Sequence, residues 1–308
     1  MKRVYAIIPY AMVAFFGTLG FFISCKPNSS ENQKDTILRG KATLWVDESL
    51  LPIVEDQQLV FQTTYEATLT LEPSSEVSVI KKLLEAKSGI AILSRKLNAN
   101  ETKFLKAKRI VPRTTPFALD GVALIGNVKT QETVVNLETL LGFLQGKNKA
   151  LKGLVFDNPN SGTVRYMMER AGITQLPSEG VYSQKNTQAV IQYVAEHEGM
   201  IGLVGSNWLF QPNATLQPWV EKVKTLGVQQ ANGSIAFPTQ EALGTNAYPL
   251  ARVLYIINCQ GYEGLGIGFA SFIAGDKGQR IVLKSGIAPI REPGRKIVTR
   301  KQIEKTKI

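Results

Sequence analysis

The chain has 308 residues, enough for a large buried core and more than one lobe. Its formal charge is +11, and 44% of its residues are hydrophobic against 20% charged, the balance of a globular chain with a basic excess. One histidine and two cysteines exclude a Cys/His metal centre. No basic stretch is interleaved with aromatics, and no finger spacing occurs, so nucleic acid is not an expected partner.

Lys2 and Arg3 precede an uncharged run from Val4 to Ser24, closed by Cys25. The stretch "FFISC" resembles a bacterial lipobox, with Phe22 in the place of the usual leucine. The resemblance implies a signal peptide over residues 1–24, cleavage before Cys25 and lipidation of Cys25. The alternative is an uncleaved anchor over Val4–Ile23, since a membrane-spanning helix needs about 20 residues. Pro9 and the abrupt cysteine favour cleavage. Either way the rest of the chain is expected to be exported and tethered, as a membrane-anchored lipoprotein facing the periplasm. Loss of Lys2 and Arg3 takes the formal charge from +11 to +9. The polar "KPNSSENQKD" (Lys26–Asp35) reads as a leash, and residues 25–40 are assigned to the tether. Cys259 closes the apolar "VLYIINC", which marks it as a buried thiol.

Strand-like and helix-like segments then alternate. "KATLWVD" predicts a strand and Ser49–Tyr65 a helix, with Leu50, Ile53, Val54 and Phe61 at helical spacing. "ATLTLEP" alternates as a strand, "SSEVSVIKKLLEAKSG" is an amphipathic helix, and "IAILS" is a short apolar strand. Two prolines precede an apolar strand around Val122–Gly126. "NLETLLGFLQGK" is helical, "KGLVFDN" a strand and "SGTVRYMMERAG" a helix. "NTQAVIQYVAEHEG" has Asn186 as N-cap, and "MIGLVG" is a buried strand. A long apolar strand in "ALGTNAYPLARVLYIIN" and a last helix in "GLGIGFASFIAGDKGQRIVLKSG" complete the chain.

This order predicts an α/β protein with mostly parallel strands. We expect two lobes, with the chain crossing near Phe117–Val122 and again near Pro249–Val253. Lobe one is then residues 41–118 with 252–308, and lobe two is residues 119–251. Such a doubly crossed pair encloses a cleft, the usual place for a ligand.

Three strand–helix junctions carry small hydroxyl residues: "DES" (Asp47–Ser49), "PSS" (Pro73–Ser75) and "NSGT" (Asn160–Thr163). A helix N-terminus leaves amide N–H groups unpaired, and its dipole favours an anion by about 0.3–1 kcal/mol. Ser or Thr can also serve merely as a helix cap, worth about 1 kcal/mol. Gly162 is harder to explain by capping, because glycine in the first turn costs up to about 1 kcal/mol. Together the three junctions could hold a tetrahedral oxyanion.

"TLWVDESLLPIVEDQQLVFQ", "AILSRKLNANE", "FALDGVALIGN", "NSGTVRYMM", "MIGLVG", "AYPLARVLYI" and "GFASFIAGDKGQRIVLKSGIAPI" resemble, in order, segments of the Pst-type phosphate-binding proteins of bacterial ABC transporters. The resemblance covers nearly all of the chain after Gly40. It implies a type-II periplasmic-binding-protein fold that closes on phosphate like a hinged clamp, and it implies ABC permease subunits as partners. By this resemblance Ser161, Gly162 and Thr163 hold phosphate oxygens, Ser49 supplies a hydroxyl from the first-strand loop, and Ser74 or Ser75 supplies another. The family's arginine four residues before the "SGT" serine is here Asp157. A family carboxylate that accepts the proton of phosphate comes from the loop that reads "AILSRKL" here. Arg95 stands in that region and either replaces the missing positive charge or pairs on the surface.

His197 lies between glutamates at a polar helix end and is expected to be a surface residue. "GLGIG" lacks dinucleotide-fingerprint spacing. No nucleophile–base pair is visible, so an enzyme is not expected, nor is any cofactor or metal. A monomeric phosphate carrier is the first reading. A scaffold lipoprotein of the same fold, taking another oxyanion or no small ligand, is the alternative, and Asp157 is its motive.

Overall fold

The computed structural model describes residues 35–294. Strand β1 (Arg39–Asp47) leads through a single 3-10 turn (Glu48–Leu50) into helix α1 (Leu51–Thr64). Then follow β2 (Glu66–Ser74), α2 (Glu76–Glu85), β3 (Ile90–Leu93), α3 (Ala99–Ala107) and the long β4 (Arg113–Asn127). The next group is β5 (Val134–Asn136), α4 (Leu137–Leu144), β6 (Leu154–Phe156), α5 (Gly162–Ala171), β7 (Val181–Ser183), α6 (Thr187–Glu196) and β8 (Ile201–Gly205). After the short helices α7 (Asn207–Phe210) and α8 (Gln217–Val220) come β9 (Val223–Gln229), β10 (Ile235–Ala236), α9 (Gln240–Gly244) and β11 (Ala251–Asn258). Helices α10 (Leu265–Ala274) and α11 (Asp276–Lys284) and strand β12 (Ala288–Pro289) end the described chain.

The strand order β2-β1-β3-β11-β4-β8-β6-β7 runs through one shared strand, β4. Its first part, up to Gly121, pairs with β11, and its second part, from Val122, pairs with β8 and β9. The molecule is a two-lobe α/β fold whose lobes share β4. The expectation of mostly parallel strands needs correction. Pairs within β1–β2–β3 and β6–β7–β8 are parallel, but every pairing made by β4 and β11 is antiparallel, because these are the strands that carry the chain between lobes.

Both sheets are covered on two faces. A large apolar cluster includes Leu44, Ile53, Phe61, Phe156, Met167 and Phe269, while Val79, Leu83 and Leu93 pack behind the first sheet and Val155, Val190 and Val204 behind the second. This double cover explains why β3, β6 and β8 are continuous apolar runs rather than alternating ones. Phe61 meets Phe269 and Phe272 edge-on at 5.3 and 5.2 Å, which fixes α1 against α10.

β4 begins nine residues before Val122 and contains Pro116, a residue that cannot donate to a ladder. The register with β11 slips between Leu254 and Tyr255, so that Tyr255 faces Pro116 and Leu254 faces Ala118, and the irregularity accommodates the proline. β1 begins at Arg39, two residues before Lys41, and Asp35 already accepts hydrogen bonds from Tyr262 and from the Leu265 amide at the start of α10. The expected last helix is two, α10 and α11, separated at Gly275. Cys25 and the signal segment lie outside the described residues. Among the described residues no helix is long and apolar enough to cross a membrane.

Candidate functional site

β1 ends at Asp47, which is fully buried. Its Oδ1 accepts from the Ser49 amide at 3.2 Å and bends the chain into the turn that precedes α1. Ser49 is also fully buried. Its carbonyl accepts from Trp208 Nε1 at 2.9 Å and from Asn207 Nδ2 at 3.2 Å, both from the other lobe.

Ser161 is the N-cap of α5 and accepts from the Val164 amide at 3.2 Å. Gly172 in the left-handed region, φ 65°, closes the same helix. The Ser161 hydroxyl donates to Asp157 Oδ1. Among the described residues, the amides of Gly162 and Thr163, first in the helix, meet no acceptor. A Cβ on Gly162 would stand 2.1 Å from Asp47 Oδ2, 2.8 Å from Glu76 Oε2 and 2.9 Å from Ser94 Oγ. Glycine is therefore what lets α5 of one lobe approach β1 and α2 of the other.

The residue that joins these parts is Arg252, which the sequence reading did not assign. It stands on β11 opposite Asp120 of β4, where the chain crosses between lobes. Its Nε and Nη2 donate to Asp120 Oδ2 at 3.0 and 2.9 Å. Its Nη1 reaches Thr163 Oγ1 and its Nη2 reaches Ser49 Oγ, both at 3.4 Å. Burial pulls the guanidinium pKa down, but Asp120 and Asp47 outweigh it, and the pKa stands above the ordinary arginine value. Arg252 is thus a fixed buried cation with a hydroxyl from each lobe against it. Its one sequence signal is a lone cation inside the apolar "AYPLARVLYIIN".

Of the residues singled out by sequence, Ser49, Ser161, Gly162 and Thr163 meet here. Ser74 lies beside Asp47 in the β1–β2 register, and its hydroxyl is buried without a partner. Ser75 is occupied as the N-cap of α2, bonded to the Ser78 amide and hydroxyl. Arg95 donates to Glu76 Oε1 at 2.8 Å and to both oxygens of Glu101 at 2.8 Å. Arg165 of the other lobe reaches the same Glu76 Oε1 at 2.7 Å and Ser94 Oγ at 3.1 Å. Arg95 is therefore part of an ion-pair lattice across the cleft, beside a groove of about 300 Å³ lined in part by Asn160, Ser161 and Met168.

Carboxylates crowd the same place. Burial, then repulsion from Glu76, raises Asp47 to about 7 against the pull of Arg252. Burial raises Glu48 to about 7, although Thr187 hydrogen bonds oppose it. Burial also raises Asp157 to about 7, against the Ser161 hydrogen bond and with repulsion from Glu48. Among the described residues no three His, Cys, Asp or Glu side chains are arranged to hold a metal ion. The chemistry on offer is recognition of an oxyanion by a buried guanidinium, two hydroxyls and helix amides, next to groups that can carry protons.

Residues 29–277 match the model of the PBP superfamily domain, PBP_like_2. The chain belongs to the PBP superfamily. The phosphate-binding protein PstS of Staphylococcus aureus (strain USA300) is 24% identical to this PBP-superfamily chain over 261 residues, 79% of this chain and 76% of the relative. A solved structure from Clostridium perfringens, described as a phosphate ABC transporter substrate-binding protein with bound phosphate, matches with TM-score 0.67 and 20% identity, over 82% of this chain and 100% of that one. An ABC-type phosphate transport receptor from Vibrio cholerae matches with TM-score 0.60 and 18% identity, over 80% of this chain and 99% of that one. These matches establish the two-lobe periplasmic-binding fold.

Proposed function

We propose that this protein captures inorganic phosphate and delivers it to the permease subunits of an ABC-type importer. The observation that carries this reading is the meeting of Ser49 and Thr163 from opposite lobes on the buried Arg252 guanidinium, at the open N-terminus of α5. An anion there would gain two hydroxyl donors, helix amides and a cation already desolvated. The names of the Staphylococcus aureus and Clostridium perfringens relatives support phosphate as the anion. In this reading residues 41–118 with 252–294 form one jaw and residues 119–251 the other, while the rest of the segment expected up to residue 308 lies outside the described residues. Cys25 carries a lipid that tethers a monomeric protein to the exported face of the membrane, and no cofactor takes part. Ser49, Gly162 and Thr163 are the oxyanion contacts, Ser161 caps the helix that presents two of them, Ser74 is close by and Arg95 acts through the lattice at the cleft edge.

The scaffold reading is supported by one feature. Asp157 and Asp47 place two buried acidic side chains where an anion must settle. Calorimetric titration of the full chain with phosphate and with sulfate tests the choice. Saturable heat with phosphate supports the carrier, and no heat with either anion supports the scaffold.

A further inference from the structure

We infer that closure of the two lobes is a proton-uptake step, in which Asp47, Glu48 and Asp157 take the protons. Hydrogen-bond donors are short where the lobes meet. Glu48 of one lobe and Asp157 of the other both reach the single hydroxyl of Thr187, at 3.0 and 3.5 Å. A hydroxyl has one proton to give. If it goes to Glu48, the contact with Asp157 Oδ2 is attractive only when Asp157 supplies the hydrogen. Asp157 Oδ1 already takes the Ser161 proton. A second shortage lies against Gly162. Asp47 Oδ2 and Glu76 Oε2 converge there, each in a side chain no more than 2% exposed, and neither has a hydrogen-bond partner. Asp47 Oδ2 is thus buried near a second carboxylate oxygen with no donor of its own, which favours a proton on Asp47.

The charged neighbours do not remove the shortage. Asp47 faces Glu76, Asp157 and Arg252, and Glu48 faces Asp47 and Thr187. Asp157 faces Ser161, Thr187, Glu48 and Arg252. Arg252 is itself held by Asp120, while Arg95 and Arg165 both sit on Glu76 Oε1, not on its free oxygen. With the lobes apart, the same carboxylates would meet water and titrate near the ordinary value of about 4. The closed form holds them up to about 7. A carboxyl that binds its proton more tightly in the closed form favours closure at low pH. That contribution fades as pH rises through the closed-state value.

The inference deepens the anion reading, because an incoming anion meets carboxyls instead of carboxylates and can accept hydrogen bonds from them. Two measurements on the full chain separate it from that reading. Without ligand, the radius of gyration by small-angle scattering should fall between about pH 8 and about pH 5, together with a change in Trp208 emission as its indole finds the Ser49 carbonyl. Dimensions constant across this range overturn the inference, whatever the ligand. With phosphate, affinity at about pH 6 should exceed that at about pH 8 by at least about tenfold, and titration in buffers of different ionisation enthalpy should report proton uptake. Uptake should drop in Asp157→Asn and in Glu48→Gln. Uptake unchanged in both variants also overturns it. If phosphate gives no heat, the anion reading falls and the scattering measurement alone decides proton-coupled closure.

Discussion

Arg252 and Asp120 face each other on the two strands that cross between the lobes, 2.9 Å apart and shut off from solvent. One edge of the guanidinium is held by the carboxylate, and the rest is turned to Thr163 and Ser49. The strand crossing between the lobes and the proposed anion contact are therefore one structure. A buried pair of this kind adds little net stability when intact, because each ion has lost its hydration, but breaking it strands a charge.

Asp120→Ala should accordingly lower unfolding free energy by about 3–5 kcal/mol, measured by urea denaturation. Asp120→Asn should cost less, since the amide oxygen still accepts. A loss below about 1 kcal/mol for the alanine variant would mean that Arg252 finds another partner.

Gly162→Ala should weaken phosphate binding by at least about tenfold, roughly 1.4 kcal/mol. The added methyl would run into Asp47 Oδ2 and Glu76 Oε2 from the opposite lobe. Alanine is the better helix former, so a ligand-free open form should melt no lower. Equal affinity in wild type and variant would make this helix start a cap only.

Arg95→Ala separates the lattice from the anion contact. Arg95 has the acidic partners Glu76 and Glu101, and Glu76 is buried. Removal should cost stability by about 1.5–3 kcal/mol, the scale of hydrogen bonds to a charged group. Phosphate affinity should change less than in Gly162→Ala. An unchanged melting temperature with a large loss of affinity would move Arg95 into direct contact with the anion.

Cys25→Ser tests the tether. The variant should accumulate as unprocessed precursor, seen as a heavier band without lipid label. Normal processing and membrane retention would contradict lipidation at Cys25.

The hydroxyl junctions were legible because a small polar residue between an apolar strand and an amphipathic helix is a local pattern. Ser49 and Ser161–Thr163 are such cases. Arg252 was not, since its partner Asp120 lies 132 residues away in sequence. Helix α3 was legible in principle: Asn98 and Glu101 form a capping box, each bonding the other's backbone. Only Leu105 of that helix is buried, which left its periodicity weak. The long first part of β4 was hidden by Pro116, and only the irregular register with β11 explains how a strand tolerates it. The acidic character of the cleft was half visible. Asp47, Glu48 and Asp157 could be read from the sequence, but their convergence depends on which loops the lobes bring together.

A crystal structure of the protein grown with saturating phosphate tests the central claim most directly. The account predicts tetrahedral density between the lobes, bonded to the Ser49 and Thr163 hydroxyls, the Arg252 guanidinium and the amides of Gly162 and Thr163. Density elsewhere, or a cleft filled by the protein's own carboxylates at saturating phosphate, would contradict it.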